Sequence, residues 1–263
     1  MDFSTIVFSI DEGVALLSLN RPAQLNSFNP QMHTEVQRAL ALVRENSQVR
    51  ALLLTGEGRG FCAGQDLADR QVTPGSAPPD LGQSIEQFYN PLVRALRELP
   101  LPVVCAVNGV AAGAGANIPL ACDIVLAARS ASFVQAFCKL GLVPDSGGTW
   151  ALPRLVGMAR AKALALLGNR LSAEQAAAWG LIHACVDDAD LRQEAMAMAK
   201  HLATQPTYGL ALIKQALHAS LDNSFEQQLG LERELQRLAG RTEDYREGVA
   251  AFMEKRPALF KGC

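Results

Sequence analysis

The sequence lacks the features that mark membrane, secreted, metal-binding and nucleic-acid-binding proteins. Its apolar runs fall short of the roughly 18 residues that a membrane-spanning helix needs, and its first residues lack the basic and apolar regions of a signal peptide. The six cysteines include no Cys-x-x-Cys pair, so neither a zinc site nor a disulfide framework is expected. A net charge of -2 without a dense basic segment is atypical of nucleic-acid binding. These absences favour a cytoplasmic protein with reduced thiols.

Aromatic and charged residues are also scarce. They make up 6% and 19% of the 263 residues, while apolar residues make up 49%. A chain of this length can bury a large core, and the low share of charge leaves apolar surface for contacts between subunits. The composition is therefore that of a globular protein that can assemble with copies of itself.

Short apolar runs separated by helical patterns occupy the larger part of the chain. Runs at 13–19, 49–55, 102–107, 123–128 and 181–186 are typical of buried strands. The alternation of such strands with helices indicates an α/β chain built from stacked ββα units.

Helix starts can be read from capping patterns. Asn29 before Pro30 predicts the first helix, and a serine followed three residues later by a glutamine predicts helix starts at 84–87 and 172–175. The first helix has one apolar face, formed by Met32, Val36, Leu40 and Val43. Prolines and glycines over 71–82 predict a surface loop.

The chain divides into two parts by composition. Residues 1–190 read as the ββα core, and residues 191–263 read as almost wholly helical. The helices of the second part carry apolar faces that must be covered by the core or by a neighbouring subunit.

Two glycine-rich segments stand out, at 60–67 and at 108–117. Each follows a predicted strand, and the first overlaps a loop predicted over 56–64. Glycine lets the backbone approach a ligand closely and turn its N–H groups outward, so two adjacent turns could aim two donors at one oxygen. Neither segment spells the G-x-G-x-x-G dinucleotide fingerprint. From the residues alone, two tight structural turns remain the alternative.

Seven short segments occur in the order and spacing found in the crotonase (enoyl-CoA hydratase/isomerase) family, which the whole chain resembles. They lie at 20–26, 60–67, 106–109, 122–124, 141–144, 147–149 and 252–256. Within the family, three stretches resemble the members that isomerise ring-epoxidised phenylacetyl-CoA in phenylacetate breakdown. These stretches are 61–67, 88–94 and 244–248.

The resemblance implies a crotonase-like spiral of ββα units and a C-terminal helical region that mediates trimerisation, with trimers pairing into hexamers. It implies an acyl-CoA thioester as substrate and no cofactor, metal or redox group, because coenzyme A is part of the substrate. The family shares an oxyanion hole of two backbone N–H groups, which match Gln65 and Ala114. One such donor typically accelerates a reaction about a hundred- to a thousandfold.

The resemblance also implies which residues hold coenzyme A. The residues that match the family's cradle for adenine and pantetheine are Leu25, Ala63, Gln65, Asp66 and Leu67. Phe252 and Lys255 match residues that reach the nucleotide from a neighbouring subunit.

Two glutamates that activate water in the family's hydratases are replaced here by Asn117 and Phe137. Asparagine cannot act as a base, and phenylalanine expels water, so hydration of an enoyl-CoA is not expected. We expect both side chains, together with Tyr89, to line the acyl pocket.

A carboxylate appears instead at Asp145, where several isomerases of the family carry their acting aspartate. Apolar walls such as Phe137 should raise its pKa and make it a usable proton shuttle. From the residues alone the alternative is a helix N-cap, for which aspartate is favoured, and the two roles are compatible.

Other polar candidates have weaker patterns. His33 is expected to face solvent. The remaining histidines, and Cys62 and Cys138 near the pocket, have no adjacent acid or base at a functional spacing, so neither a metal site nor a catalytic triad is predicted.

The sequence therefore predicts an acyl-CoA isomerase in which Asp145 moves a proton while an enolate rests on the amides of Gln65 and Ala114. The predicted substrate is a ring-epoxidised phenylacetyl thioester that opens to a seven-membered oxepin. The alternatives are an isomerase of fatty-acid oxidation that moves a β,γ double bond into conjugation, and a non-catalytic acyl-CoA-binding protein.

Overall fold

A computed structural model describes residues 2–67 and 80–263, which form ten strands and ten α-helices. The strands are β1 (Ile6–Asp11), β2 (Val14–Leu19), β3 (Ala51–Gly56), β4 (Gly60–Cys62), β5 (Val103–Val107), β6 (Val110–Ala112), β7 (Ile124–Ala128), β8 (Ser132–Val134), β9 (Arg170–Ser172) and β10 (Ala184–Val186). The helices are α1 (Pro30–Glu45), α2 (Leu81–Ser84), α3 (Asn90–Glu98), α4 (Ala114–Asn117), α5 (Gly148–Leu167), α6 (Ala173–Ala178), α7 (Leu191–Ala203), α8 (Thr207–Ala219), α9 (Phe225–Ala239) and α10 (Glu243–Glu254). None of the helices in these ranges combines the length and apolarity that crossing a bilayer requires. Most of the predicted 71–82 loop lies outside the described residues.

The strands form two sheets. The larger has the order β1-β2-β3-β5-β7-β10 and the smaller the order β4-β6-β8-β9. Neighbouring strands are parallel except for β1 with β2 and β8 with β9. β3 and β5 are buried at every position, which explains their nearly continuous apolar sequences. After β3, β5 and β7 the chain enters β4, β6 and β8 of the smaller sheet, and this repetition confirms the predicted ββα spiral.

Helix α1 begins where its sequence predicts. Asn29 is the N-cap and accepts a hydrogen bond from the Met32 N–H at 2.9 Å, with Pro30 at the first helical position. The predicted apolar face is buried against the larger sheet and α3. This local pattern therefore determines both the start of α1 and its orientation.

The prediction that His33 faces solvent is wrong. Its side chain on α1 is 2% exposed, and its ring lies 4.6 Å from that of Phe28 and 5.0 Å from that of Phe88. Because α3 and the segment before it also pack on α1, the buried stripe of the helix is wider than its apolar residues alone suggest.

The helix start predicted at Ser84 is also wrong. The cap is Asp80, whose carboxylate accepts the Gln83 N–H at 3.1 Å. A cap residue needs a non-helical backbone, which Asp80 has with ψ of 97°, whereas Ser84 is already helical with ψ of -39°. The chain then continues through a π-helical turn, Ile85–Tyr89, into α3.

Five strands were not predicted. β4 lies inside the predicted 56–64 loop, and β6 lies inside the second glycine-rich segment. β4, β6, β8 and β9 have three residues each, which is too few to produce a periodic pattern, and most of β1 is not buried.

The four helices beyond residue 190 have different surroundings. α7 packs over β3, β5 and β7, whereas α8 and α9 pack mainly against each other. Large apolar side chains of α8, α9 and α10 are exposed, namely Ile213, Leu217, Phe225, Leu229, Tyr245, Val249, Phe252 and Met253. Apolar surface of this kind is typical of a contact with another molecule.

Arg50, just before β3, ties the last helices to the core. Its guanidinium donates to the Gln205 carbonyl at 2.5 Å, to Thr207 Oγ1 at 2.9 Å and to the Phe260 carbonyl at 2.8 Å. The segment after α10 is also held by the buried Asp244 carboxylate, which accepts two of its backbone N–H groups at 2.6 and 2.8 Å. One arginine therefore joins the start of β3 to two distant segments, one before and within the start of α8 and one after α10.

Candidate active site

The first glycine turn follows β4 and spans residues 63–67. Gly64 has a φ of +88°, a conformation that favours glycine. The backbone of Phe28 brackets the next residue, because its N–H donates to the Gly64 carbonyl at 2.7 Å and its carbonyl accepts the Asp66 N–H at 2.9 Å. Gln65 therefore lies in a segment that is held on both sides.

Two side chains support the same turn. The Tyr89 hydroxyl donates to Gln65 Oε1 at 2.9 Å, and the Arg21 guanidinium pairs with the Asp66 carboxylate at 2.9 Å. Tyr89 is 1% exposed and lies beneath the turn. Its predicted place along the acyl pocket stays a prediction.

The second turn joins β6 to α4. Gly113 is the N-cap of this helix and Ala114 its first residue, so the Ala114 N–H precedes the intrahelical hydrogen bonds. The Gly113 N–H donates to the Val134 carbonyl of β8 at 3.0 Å, which fixes the turn to the smaller sheet.

The two turns pack directly against each other. A Cβ added at Gly64 would lie 2.9 Å from the Ala112 carbonyl oxygen and 3.3 Å from the Ala114 nitrogen. A Cβ at Gly115 would overlap the Cys62 carbonyl group. This contact brings the peptide groups of Gln65, next to Gly64, and of Ala114 to one corner.

Phe137 lies at the same corner. Its side chain is buried, and its Cζ lies 4.0 Å from the position that a Cβ at Gly113 would take. The ring therefore forms an apolar wall beside the second turn.

Asp145 lies in the turn that precedes α5. Gly147, not Asp145, occupies the N-cap position of this helix. The Asp145 carbonyl accepts the Gly148 N–H at 2.9 Å, and its Oδ1 accepts a hydrogen bond from Ser146 Oγ at 2.9 Å. The carboxylate is thus oriented by the neighbouring hydroxyl.

A buried pair of amides connects this turn to α4. Asn117, the last residue of α4, donates from Nδ2 to the Asp145 carbonyl at 2.9 Å, and its Oδ1 accepts from Gln135 Nε2 at 2.8 Å. Asn117 is 1% exposed but also lines a cavity together with Ser146, and its predicted place in the acyl pocket stays a prediction. The Asp145 turn and the Ala114 amide are therefore attached to the same short helix.

Sequence reasoning missed Gln135 and Ser146. Gln135 follows β8, one of the short strands without a periodic pattern. Ser146 follows Asp145, and a serine at this position matches no motif. Their roles depend on hydrogen bonds whose partners only the fold brings together.

The residues matched to coenzyme A binding fall into two groups. The Leu25 carbonyl accepts the Ala63 N–H at 2.9 Å, so Leu25 joins the turn that carries Gln65, Asp66 and Leu67. The second group, Phe252 and Lys255, lies at the C-terminal end of α10, where the Phe252 side chain is 83% exposed.

Two further chemical properties bear on the site. Burial raises the pKa of the Cys62 thiol, beneath the first turn, to about 12, so this cysteine is uncharged at neutral pH. Within the described parts of the chain, no group of three or more His, Cys, Asp and Glu side chains is arranged to hold a metal ion.

Known proteins share this architecture along the whole chain. A family model described as "Enoyl-CoA hydratase/isomerase" matches residues 9–263. The crystal structure of an enoyl-CoA hydratase from Polaromonas sp. JS666 superposes with a TM-score of 0.91 at 35% identity, covering 97% of this chain and 99% of that one.

Two relatives are more similar in sequence. An Escherichia coli (strain K12) protein named "1,2-epoxyphenylacetyl-CoA isomerase" is 61% identical over 98% of both chains. A Rhodobacter capsulatus protein named "Probable enoyl-CoA hydratase" is 48% identical over 100% of both chains.

Proposed function

The chain belongs to the enoyl-CoA hydratase/isomerase (crotonase) family and is an acyl-CoA isomerase, and we propose that it converts ring-1,2-epoxyphenylacetyl-CoA into the oxepin thioester. The family, the fold and the isomerase activity predicted from the sequence are thereby confirmed. The acyl group is proposed because the E. coli relative is named for it and because the same stretches of sequence resemble such enzymes.

One observation carries the proposed role of Asp145. Its turn is hydrogen-bonded through Asn117 to α4, the helix whose first residue is Ala114. A carboxylate is therefore attached to the element that supplies one of the two proposed oxyanion donors. That arrangement suits removal of a proton from the carbon beside a thioester carbonyl.

In the proposed mechanism, the thioester carbonyl oxygen accepts hydrogen bonds from the N–H groups of Gln65 and Ala114. The Asp145 carboxylate takes a proton from the methylene between thioester and ring, and the negative charge moves to the oxygen as an enolate. As the epoxide opens into the seven-membered ring, the Asp145 carboxyl returns the proton to a ring carbon. One proton leaves and one returns, so substrate and product are isomers.

The same proposal predicts that the protein hydrates enoyl-CoA poorly. Asn117, whose Nδ2 donates to the Asp145 carbonyl and whose Oδ1 accepts from Gln135, has no basic group to activate water. Phe137 adds an apolar wall beside the Ala114 turn. Asp145 is then the group that exchanges protons with the substrate.

Coenzyme A is assigned to the corner formed by Leu25 and residues 63–67, as part of the substrate and not as a resident cofactor. Residues 191–263 are assigned to assembly into a trimer, in which Phe252 and Lys255 serve a neighbouring nucleotide site and trimers pair into hexamers. The exposed apolar side chains of α8, α9 and α10 support this assignment. Light scattering on the purified protein tests it, and a monomer that binds coenzyme A tightly would contradict it.

The decisive experiment is Asp145→Asn. We expect kcat for isomerisation to fall at least about a hundredfold with thioester binding nearly unchanged, because a general base is lost. The melting temperature should also change little, since Gly147 occupies the N-cap of α5. The control is Ser172→Ala, which removes the side-chain cap of α6 and should lower stability by about 1 kcal/mol without lowering kcat. Near-normal turnover of Asp145→Asn would exclude the proposed role.

Substrate choice separates the proposal from its alternatives. The purified protein should isomerise the ring-epoxidised phenylacetyl thioester faster than a linear β,γ-enoyl-CoA. The reverse order would favour an isomerase of fatty-acid oxidation, and binding of both thioesters without turnover would favour a non-catalytic binding protein.

A further inference from the structure

The turn that carries Asp145 is strained. Ser146 and Gly147 both have left-handed backbones, with φ of +53° and +78°, and the Gly148 N–H donates back to the Asp145 carbonyl at 2.9 Å. Two left-handed central residues closed by such a bond are the pattern of a type I′ turn. Glycine, asparagine and aspartate favour that conformation, whereas the Cβ of Ser146 meets the backbone there. The turn therefore depends on support from outside.

The support comes from Asn117. Its Nδ2 donates to the same Asp145 carbonyl at 2.9 Å, so this oxygen accepts two hydrogen bonds, one from the turn and one from α4. Gly148 is packed so tightly on the Asn117 amide that a Cβ would overlap it. The peptide group that follows the Asp145 Cα is thus fixed relative to α4.

Gln135 sets the direction in which the Asn117 amide points. Its Nε2 donates to Asn117 Oδ1 at 2.8 Å, which turns Asn117 Nδ2 toward Asp145. Gln135 is 4% exposed, and its Oε1 is buried without a hydrogen-bond partner among the described residues. An amide oxygen left in that state destabilises the fold, and reversing the amide would place two oxygens face to face.

We infer that Gln135 and Asn117 form a relay that positions Asp145 for proton transfer. Both are positioning residues, because their hydrogen bonds reach Asp145 through its backbone carbonyl. This inference rests on the proposed function, since it needs Asp145 as the proton carrier. A position that hydratases of the family use to activate water would then serve to hold a different base in place.

The test compares substitutions of the relay in two backgrounds. Asn117→Ala should lower kcat about ten- to a hundredfold with KM changed less than about threefold, because a small misplacement of a reacting group is costly. Asn117→Asp, which keeps the shape but replaces the donor, should lower kcat at least as much. Gln135→Leu should have a smaller effect, and the double variant should be no slower than Asn117→Ala alone. In the Asp145→Asn background, Asn117→Ala should change the residual rate less than about twofold.

Leu40→Ala, a truncation in the buried face of α1, serves as the stability control and should lose stability without losing kcat. If the losses of kcat in Asn117→Ala and Gln135→Leu multiplied in the double variant, the two residues would act independently and the relay would be overturned. A rise in KM without a fall in kcat, or a further loss of rate in the Asp145→Asn background, would also overturn it. Near-normal turnover of Asp145→Asn by itself would instead remove the proposed function, and the relay with it.

Discussion

The two halves of the candidate active site are held in place by different means. The turns that carry Gln65 and Ala114 are packed backbone against backbone, with no room for a side chain at Gly64 or Gly115. The turn that carries Asp145 is close-packed only at its last residue, because a Cβ added at Gly148 would overlap the Asn117 amide, whereas one added at Gly147 would meet nothing within 4 Å in the described structure. This second turn is held by hydrogen bonds from polar side chains.

The difference matches what each half must do in the proposed reaction. The amides hold one oxygen throughout, and fixed donors stabilise a developing charge best. The carboxylate must take a proton from one carbon atom and return it to another. Its orientation therefore matters more than the tightness of its packing. The first half should therefore be sensitive to added volume, and the second, apart from Gly148, mainly to lost polar groups.

The largest effect is expected from Gly115→Ala. The new Cβ would overlap the Cys62 carbonyl, and neither backbone segment can move away without separating the two turns. We expect the free energy of unfolding to fall by more than about 3 kcal/mol and isomerase activity to be lost. Gly230→Ala in α9, where the added Cβ meets open space, should instead raise stability by up to about 1 kcal/mol. Urea unfolding of both variants tests the comparison, and equal stabilities would refute it.

Hydration of crotonyl-CoA gives the next largest contrast. The resemblance to the family matches Gln65 and Ala114 to the oxyanion donors of its hydratases, and it matches Asn117 and Phe137 to their water-activating glutamates. We therefore expect hydration to be far slower than isomerisation in a direct spectrophotometric assay. A hydration rate within about tenfold of the isomerase rate would show that these positions are wrongly matched.

A smaller effect is expected at Ser146, where orientation and strain can be separated. Ser146→Ala removes the hydrogen bond to Asp145 Oδ1 and should lower kcat about fivefold, as the loss of roughly 1 kcal/mol implies. Ser146→Gly should lower kcat similarly but raise stability by about 1 kcal/mol, because glycine tolerates the left-handed backbone. Wild-type kcat in both variants would mean that the hydroxyl does not orient the carboxylate.

The smallest effect concerns thiol reactivity and should leave activity unchanged. Burial raises the pKa of Cys62 to about 12, so only about one thiol in ten thousand is ionised at pH 8. Cys138, next to Phe137, is partly exposed. In native protein treated with iodoacetamide, mass spectrometry should find Cys138 modified well before Cys62, with the exposed Cys263 as the positive control. Equal rates at Cys62 and Cys138 would contradict the close packing of the first half.

Much of the fold could be predicted because its signals are local. The cap at Asn29, the buried face of α1 and the apolar run of β3 each depend on a few neighbouring residues. The order of the family's motifs then predicted the ββα spiral and the glycine turns. The burial of His33 could not be predicted, because it depends on how α3 crosses α1.

For the candidate site, too, local sequence signals could be interpreted but long-range contacts could not. Residue types and motif positions directed attention to Gln65, Ala114 and Asp145. The hydrogen-bond partners of Tyr89 and Asn117 could not be predicted, because each bond spans at least 24 residues of sequence. Such long-range contacts leave no periodic pattern in the residues that make them.

The Arg50 clamp has a consequence for the order of folding. Its three acceptors lie 155, 157 and 210 residues later in the chain, so they are synthesised long after β3. Until then the guanidinium has to remain hydrated at the start of β3, in a sheet whose first strands can already pair. Contacts of such high sequence separation close late, because the entropy of a long loop must be overcome first. The clamp is therefore expected to close last, joining residues 205–207 and the segment after α10 to a core whose strands and α7 have already packed.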